Sequence, residues 1–226
     1  MNTPKLISRR SLLAGTGAAL AAQWCRPASA GECDPSRVRT YTNADFYDSN
    51  GVFLPEKARD AYYDMFARFH YPVSERLQQD MWILDFHLGD FARVGMAGIF
   101  WLNRQDHNYF GHEIYLLPGQ MIPEHCHVAT DKGGAKMESW QPRKGMIHTF
   151  GEGDATPELL DQIPPSQRNL VHSRRCTPLG IDEIGHLNRL EAWHFMVAGP
   201  EGALVTEYGT FHDMDGLRFS NPKASL

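Results

Sequence analysis

Apolar residues recur at spacings of three and four through Ala58, Ala61, Tyr62, Met65, Phe66 and Phe69, which predicts a helix with one buried face. Pro55 suits its first turn, where no amide partner is lost, and Pro72 stops it. A second, short helix is expected over residues 74–80. Ahead of both, residues 31–53 are polar and rich in turn formers and read as an extended arm. Past Met81 the pattern changes. Segments 94–102, 113–117, 145–150, 193–197 and 203–208 are short, rich in aromatic and β-branched residues, and bounded by Gly, Pro or Asn, as strands are. Many short strands separated by turn signals predict a mainly β sandwich or closed barrel. Residues 151–190 carry Pro157, Pro164, Pro165 and Pro178 with little periodicity, and are expected to be a long loop with one helical turn.

Residues 1–30 read as a twin-arginine signal peptide. Arg9-Arg10 is followed by a mildly apolar stretch rich in Ala and Gly, then by Ala28-Ser29-Ala30 as a cleavage site. That stretch is well short of the ~20 residues needed to cross a bilayer, so a periplasmic or secreted protein free of the membrane is expected, with residues 31–226 forming one domain. The net charge is −5, and it becomes −9 once the leader's Lys5, Arg9, Arg10 and Arg26 are set aside. A chain this acidic lacks the positive surplus that phosphate binding needs, which excludes nucleic acid as a partner. Cys25 leaves with the leader, so Cys33, Cys126 and Cys176 allow one bridge at most. Cys33 with Cys176 is the expected pair, because Cys126 lies inside the strand discussed next; three free buried thiols are the alternative.

The chemistry concentrates in Gly119-Gln-Met-Ile-Pro-Glu-His125-Cys-His127. On a strand, residues i and i+2 share a face, so both imidazoles aim at one place while Cys126 faces away. Two histidines buried without partners would be costly, whereas two metal ligands are not. The distances from Gly119 to His125 and from Glu138 to Gly145 match the two ends of the first cupin motif, in which a Gly turn feeds a His-x-His strand and a Glu on the next strand precedes another Gly turn. Ten residues, including Asp131-Lys-Gly-Gly134, separate His127 from Glu138 and read as an enlarged hairpin loop, a cheap insertion because closure entropy grows slowly with length. The expected fold is therefore a cupin, a double-stranded β-helix or jelly-roll barrel, with N-terminal helices. His194, in the apolar strand pattern Trp193-His-Phe, is the expected fourth ligand; His186 is the competitor, with His148 and His172 behind it. Three imidazoles and one carboxylate suit manganese, iron, zinc, nickel or cobalt. Open coordination positions would remain for a substrate.

With those residues in place, the chain resembles the D-lyxose isomerase family, cupin enzymes that interconvert aldoses and ketoses. Residues Asp85-Phe-His-Leu-Gly-Asp-Phe-Ala-Arg-Val-Gly95 resemble the family's opening strand, and Pro118 to His127 its metal strand. Lys136-Met-Glu138 matches a Lys-x-Glu in which lysine reaches substrate and glutamate holds metal. Thr206 to Phe219 resembles the closing strand, with its acidic pair and an Arg-Phe. The resemblance implies a sugar substrate, a manganese ion and an enediol route between aldose and ketose. It implies catalytic roles for Lys136 and Glu207, and substrate contacts from Asp213, Asp215 and Arg218. A homodimer is a common arrangement among cupins. Family members continue past the Arg-Phe into a segment carrying an acidic residue, which has no counterpart before Leu226. A non-catalytic carbohydrate- or metal-binding cupin, or an iron-dependent dioxygenase, is the alternative expectation.

Overall fold

The computed structural model describes residues 37–226; the leader and Cys33 lie outside the described residues, where Cys126 and Cys176 are buried free thiols. The predicted helix is α1, Pro55–Arg68, and it buries Ala58, Ala61, Tyr62, Met65 and Phe66. It ends before Pro72 in a Schellman turn. His70 takes the left-handed conformation (φ 52°), its N–H reaches Ala67 O at 3.1 Å, and the Tyr71 N–H reaches Phe66 O at 2.8 Å. Helix α2, Glu75–Asp80, starts where the Ser74 hydroxyl accepts the Leu77 N–H at 3.1 Å. The arm is less extended than expected. Asn43–Asp45 forms a 3-10 turn that seats Phe46 in the core, edge-on to Phe91 at 4.9 Å between centroids.

Nine strands follow: β1 Trp82–Leu84, β2 Met96–Arg104, β3 Tyr109–Leu116, β4 His125–His127, β5 Glu138–Gly151, β6 Arg175–Leu179, β7 Gly185–His186, β8 His194–Gly209 and β9 Leu217–Phe219. All their ladders are antiparallel, and the two long strands build both sides of a curled sheet. The second half of β8 lies between β3 (Phe110↔Gly209 to Leu116↔Ala203) and the first half of β5 (Glu138↔Gly209 to Gly145↔Ala203). The first half of β8 pairs with the second half of β5 (Ile147↔Ala198 to Gly151↔His194) and, at His125, with β4, which β9 borders.

Two expectations are corrected here. Segments 193–197 and 203–208 are one strand that bends through Pro200-Glu-Gly202, and 145–150 is only the far half of β5. The bend brings backbones together. Gly145 and Gly202 both have positive φ (68° and 81°), and a Cβ on Gly145 would lie 2.0 Å from Gly202 O. Residues 151–190 are not one long loop, because they contain β6, β7 and a 3-10 turn over Pro157–Gln162. β6 pairs only with β5, so Pro178 sits on an edge strand where its missing N–H is tolerated. Among the described residues no helix is long and apolar enough to cross a membrane.

Side-chain alternation decides what the sheet encloses. Ala97, Ile99, Tyr115, Leu117 and Leu204 point outward and pack with Tyr62, Met65 and Phe66 of α1. Met96, Ile114, Leu116, Ala203 and Val205 point inward. Glu207, two residues beyond Val205, therefore faces the interior, which alternation in the sequence alone left open.

Candidate metal centre and its cavity

Inside the curled sheet is a cavity of about 290 Å³. Its walls include Trp82, Phe100, Ile114, Trp140, Met196 and Phe219, and its imidazoles and charged groups come from β3, β4, the loop before β5, β5, β8 and the segment after β8. That volume is at the small end of ligand pockets, the scale of one monosaccharide rather than a chain of them.

His125, His127, Glu138 and His194 each offer one ligand atom, and the four atoms lie within 4.8 Å of one another. β4 supplies two imidazoles on one face, Glu138 opens β5, and His194 opens β8 directly across from His125. Two of the rings are locked from behind: His125 Nδ1 meets Pro123 O and His194 Nδ1 meets Ala192 O, each at 2.9 Å. An N–H donated to a carbonyl leaves the Nε2 lone pair facing the cluster, the tautomer a metal ligand needs. His194 Nε2 lies 2.5 Å and His127 Nε2 3.5 Å from Glu138 Oε1, yet all three atoms are buried with no hydrogen bond. Buried polar atoms rarely go unpaired, and one cation at their common point would satisfy all of them. Burial, with repulsion from His194 and His127, pushes His125 well below the ordinary histidine range; burial also lowers His127. Burial opposes charge on both Glu138 and His194. Lys136 and the histidines outweigh it and hold the Glu138 carboxyl well below its usual range, while the Glu138 carboxylate raises His194.

Lys136 and Glu207 complete the polar end. Lys136 Nζ is 2.6 Å from Glu138 Oε2 and also donates to Glu207 Oε1, while the other Glu207 oxygen meets His112 Nδ1 at 3.2 Å. Lys136 is almost fully buried and stays charged because two carboxylates outweigh the burial that would lower it.

The structure does not bring the remaining expected residues to the cavity. Arg218 is exposed, since on β9 its neighbours Leu217 and Phe219 take the inward face, and its guanidinium binds Asp215 O and Leu217 O. Asp213 caps the 3-10 turn Met214–Gly216 and accepts from the Thr130 hydroxyl; Asp215 pairs with Lys132. The acidic pair thus pins the enlarged loop that carries Lys136 inward, and Asp213, Asp215 and Arg218 all lie outside the cavity lining. His186 is exposed on β7, bridged to Ser139, and neither His148 nor His172 joins the cluster. Sequence reading missed His112, His212 and Trp82. His112 stands two residues before inward-facing Ile114, so extending the predicted strand at 113–117 by one position would have found it.

The double-stranded helix of antiparallel strands, with three imidazoles and a carboxylate gathered inside it, defines a cupin. No family model matches the chain. Over 171 residues it is 25% identical to a D-lyxose/D-mannose isomerase of Thermosediminibacter oceani, covering 74% of this chain and 91% of that one. It is 26% identical over 170 residues to a D-lyxose ketol-isomerase of Cohnella laeviribosi, covering 74% and 90%. Among solved structures, the L-ribose isomerase of Acinetobacter sp. DL28 shares the fold at a TM-score of 0.59 and 14% identity, over 80% of this chain and 95% of that one. The resemblance read from the motifs holds.

Proposed function

We propose that the chain is a metal-dependent isomerase that interconverts a small free aldose, of the D-lyxose or D-mannose type, with its ketose. The observation that carries this reading is the chain of contacts from Glu138 through Lys136 to Glu207, which sets an unliganded carboxylate beside the four-donor cluster inside a sugar-sized cavity. Similarity to relatives named for D-lyxose and D-mannose supports the substrate class. His125, His127, Glu138 and His194 would hold the ion, manganese by resemblance. A divalent ion held there would supply Lewis-acid polarisation of the sugar's carbonyl group. Glu207 takes the proton from C2, leaving an enediol, and returns it to C1, while the hydroxyl proton passes from the C2 oxygen to the C1 oxygen. The Lys136 ammonium offsets the negative charge that develops on those oxygens. His112 donates to the second Glu207 oxygen and fixes the carboxylate's orientation.

The test is incubation of the manganese-loaded protein with free aldoses, D-lyxose and D-mannose first, followed by ketose detection. Bound metal with no ketose from any aldose sinks the reading, and oxygen consumption with bound iron would replace it with a dioxygenase. We also propose that residues 1–30 direct export by the twin-arginine route, supported by Arg9-Arg10 and Ala28-Ser29-Ala30. A mature protein from its native cell that still begins at Met1 would refute that.

A further inference from the structure

The cation would account for the orphaned Nε2 and Oε1 atoms around Glu138, but on three lining residues outside the ligand set a buried polar atom also lacks a partner: His112 Nε2, His212 Nδ1 and Trp82 Nε1. Each residue adjoins Phe100, at 4.9, 5.6 and 5.4 Å between ring centroids, so they group on one side of the cavity. Leaving such atoms unpaired in a buried site is costly, and the cost needs an explanation.

Their hydrogen-bonding roles can be assigned from the partners they do have. The Glu207 carboxylate can only accept from His112, so Nδ1 carries the proton and Nε2 is a lone pair. The Met214 sulfur, 3.0 Å from His212 Nε2, can likewise only accept, so Nε2 carries the proton and Nδ1 is a lone pair. Trp82 offers an N–H, a donor and nothing else. The sheet has made room for this group. A Cβ on Gly98 would meet His112 Nε2 at 2.4 Å and the Trp82 ring at 2.7 Å, so the two stacked rings lie where a side chain would otherwise stand. The other cavity walls are apolar, from Met96 and Ile114 to Ile122 and Phe219.

We propose that His112, His212 and Trp82 form a hydroxyl-reading subsite, two imidazole lone pairs and one indole N–H, that takes the hydroxyls of the sugar away from its C1–C2 pair. This rests on the isomerase reading for the identity of its ligand. A hydroxyl donates and accepts at once, so it suits a mixed set of acceptors and a donor; an anion finds two repelling lone pairs, and a deoxy carbon leaves buried groups unpaired.

The experiment is calorimetry of the manganese-loaded protein with D-lyxose and its 3-, 4- and 5-deoxy analogues, on the wild type and on His212→Phe, which keeps the ring stacked on Phe110 but removes the lone pair. The wild type should bind at least one deoxy analogue about 10–100-fold more weakly than D-lyxose, and His212→Phe should weaken D-lyxose without further weakening that analogue. Equal wild-type binding of D-lyxose and every analogue overturns the subsite, as does a His212→Phe protein that keeps the full discrimination. If the variant fails to fold, the wild-type comparison decides alone. Discriminating binding without ketose formation leaves the subsite standing and removes the reaction, whereas no sugar binding at all removes both.

Discussion

His125 and His194 stand directly opposite each other across an antiparallel pair, their ring centroids 4.3 Å apart, though they come from strands far apart in the chain. Each ring is fixed by a backbone carbonyl two residues before it, so both present Nε2 to the same point. His194→Ala should therefore lose bound metal after dialysis, by more than the about 10–100-fold in affinity that changing a supporting contact costs, while His186→Ala retains it. Stripping the ion from the wild type should lower its melting temperature, because an ion bound only by the folded state stabilises it by mass action. Elemental analysis showing equal metal in both variants would remove the cluster from the argument.

Glu207 touches Lys136 and His112 but offers no atom to the four-donor cluster. Glu207→Gln should cut kcat by about 10²–10⁴-fold with metal content unchanged, since a positioned base contributes on that scale. A variant that keeps its turnover, or one that loses its metal in parallel, would contradict the assigned role.

The bend that carries β5 and β8 from one side of the barrel to the other depends on Gly145 passing against Gly202. Backbone, not a flexible side chain, occupies the space a Cβ would need. Gly145→Ala should destabilise the protein by about 1–3 kcal/mol or more, read as a lower urea midpoint at unchanged slope. An unshifted midpoint would show that the bend tolerates a side chain.

Glu152 fastens the start of β8. It accepts from Arg189 Nε at 2.9 Å and from the Trp193 N–H at 3.2 Å. Burial would raise its carboxyl; the hydrogen bonds from Arg189 and Trp193 outweigh burial and hold it below the usual range. A carboxyl depressed on folding adds stability above its unfolded pKa, about 4.3, and that stability is lost as pH falls through the lower folded value. Glu152→Gln should thus be less stable at pH 7 by at most about 1 kcal/mol, the partners being half exposed, with the gap closing in acid. A gap that persists or widens below the glutamate range would mean the charge is not its source.

Local physics was legible in the chain. The three-and-four spacing of Ala58 to Phe69 marked α1, and His-x-His marked a shared strand face, because those patterns follow from helix and strand geometry alone. Gly119, Gly145 and Glu138 were legible through their spacing, and Lys136 and Glu207 through resemblance. His194 was the expected fourth ligand from its apolar strand pattern, with His186 as competitor, and the pairing of β4 with β8 is what brings His194 and not His186 to the cluster. The face of Glu207 needed α1 to claim the opposite side of the sheet. Asp213, Asp215 and Arg218 matched a motif, but the enlarged loop and the alternation on β9 gave them other partners. The strands hidden in residues 151–190 draw their hydrogen bonds from β5. Pairings between segments distant in the chain leave little local pattern, so the tertiary structure alone decided which residues share the cavity.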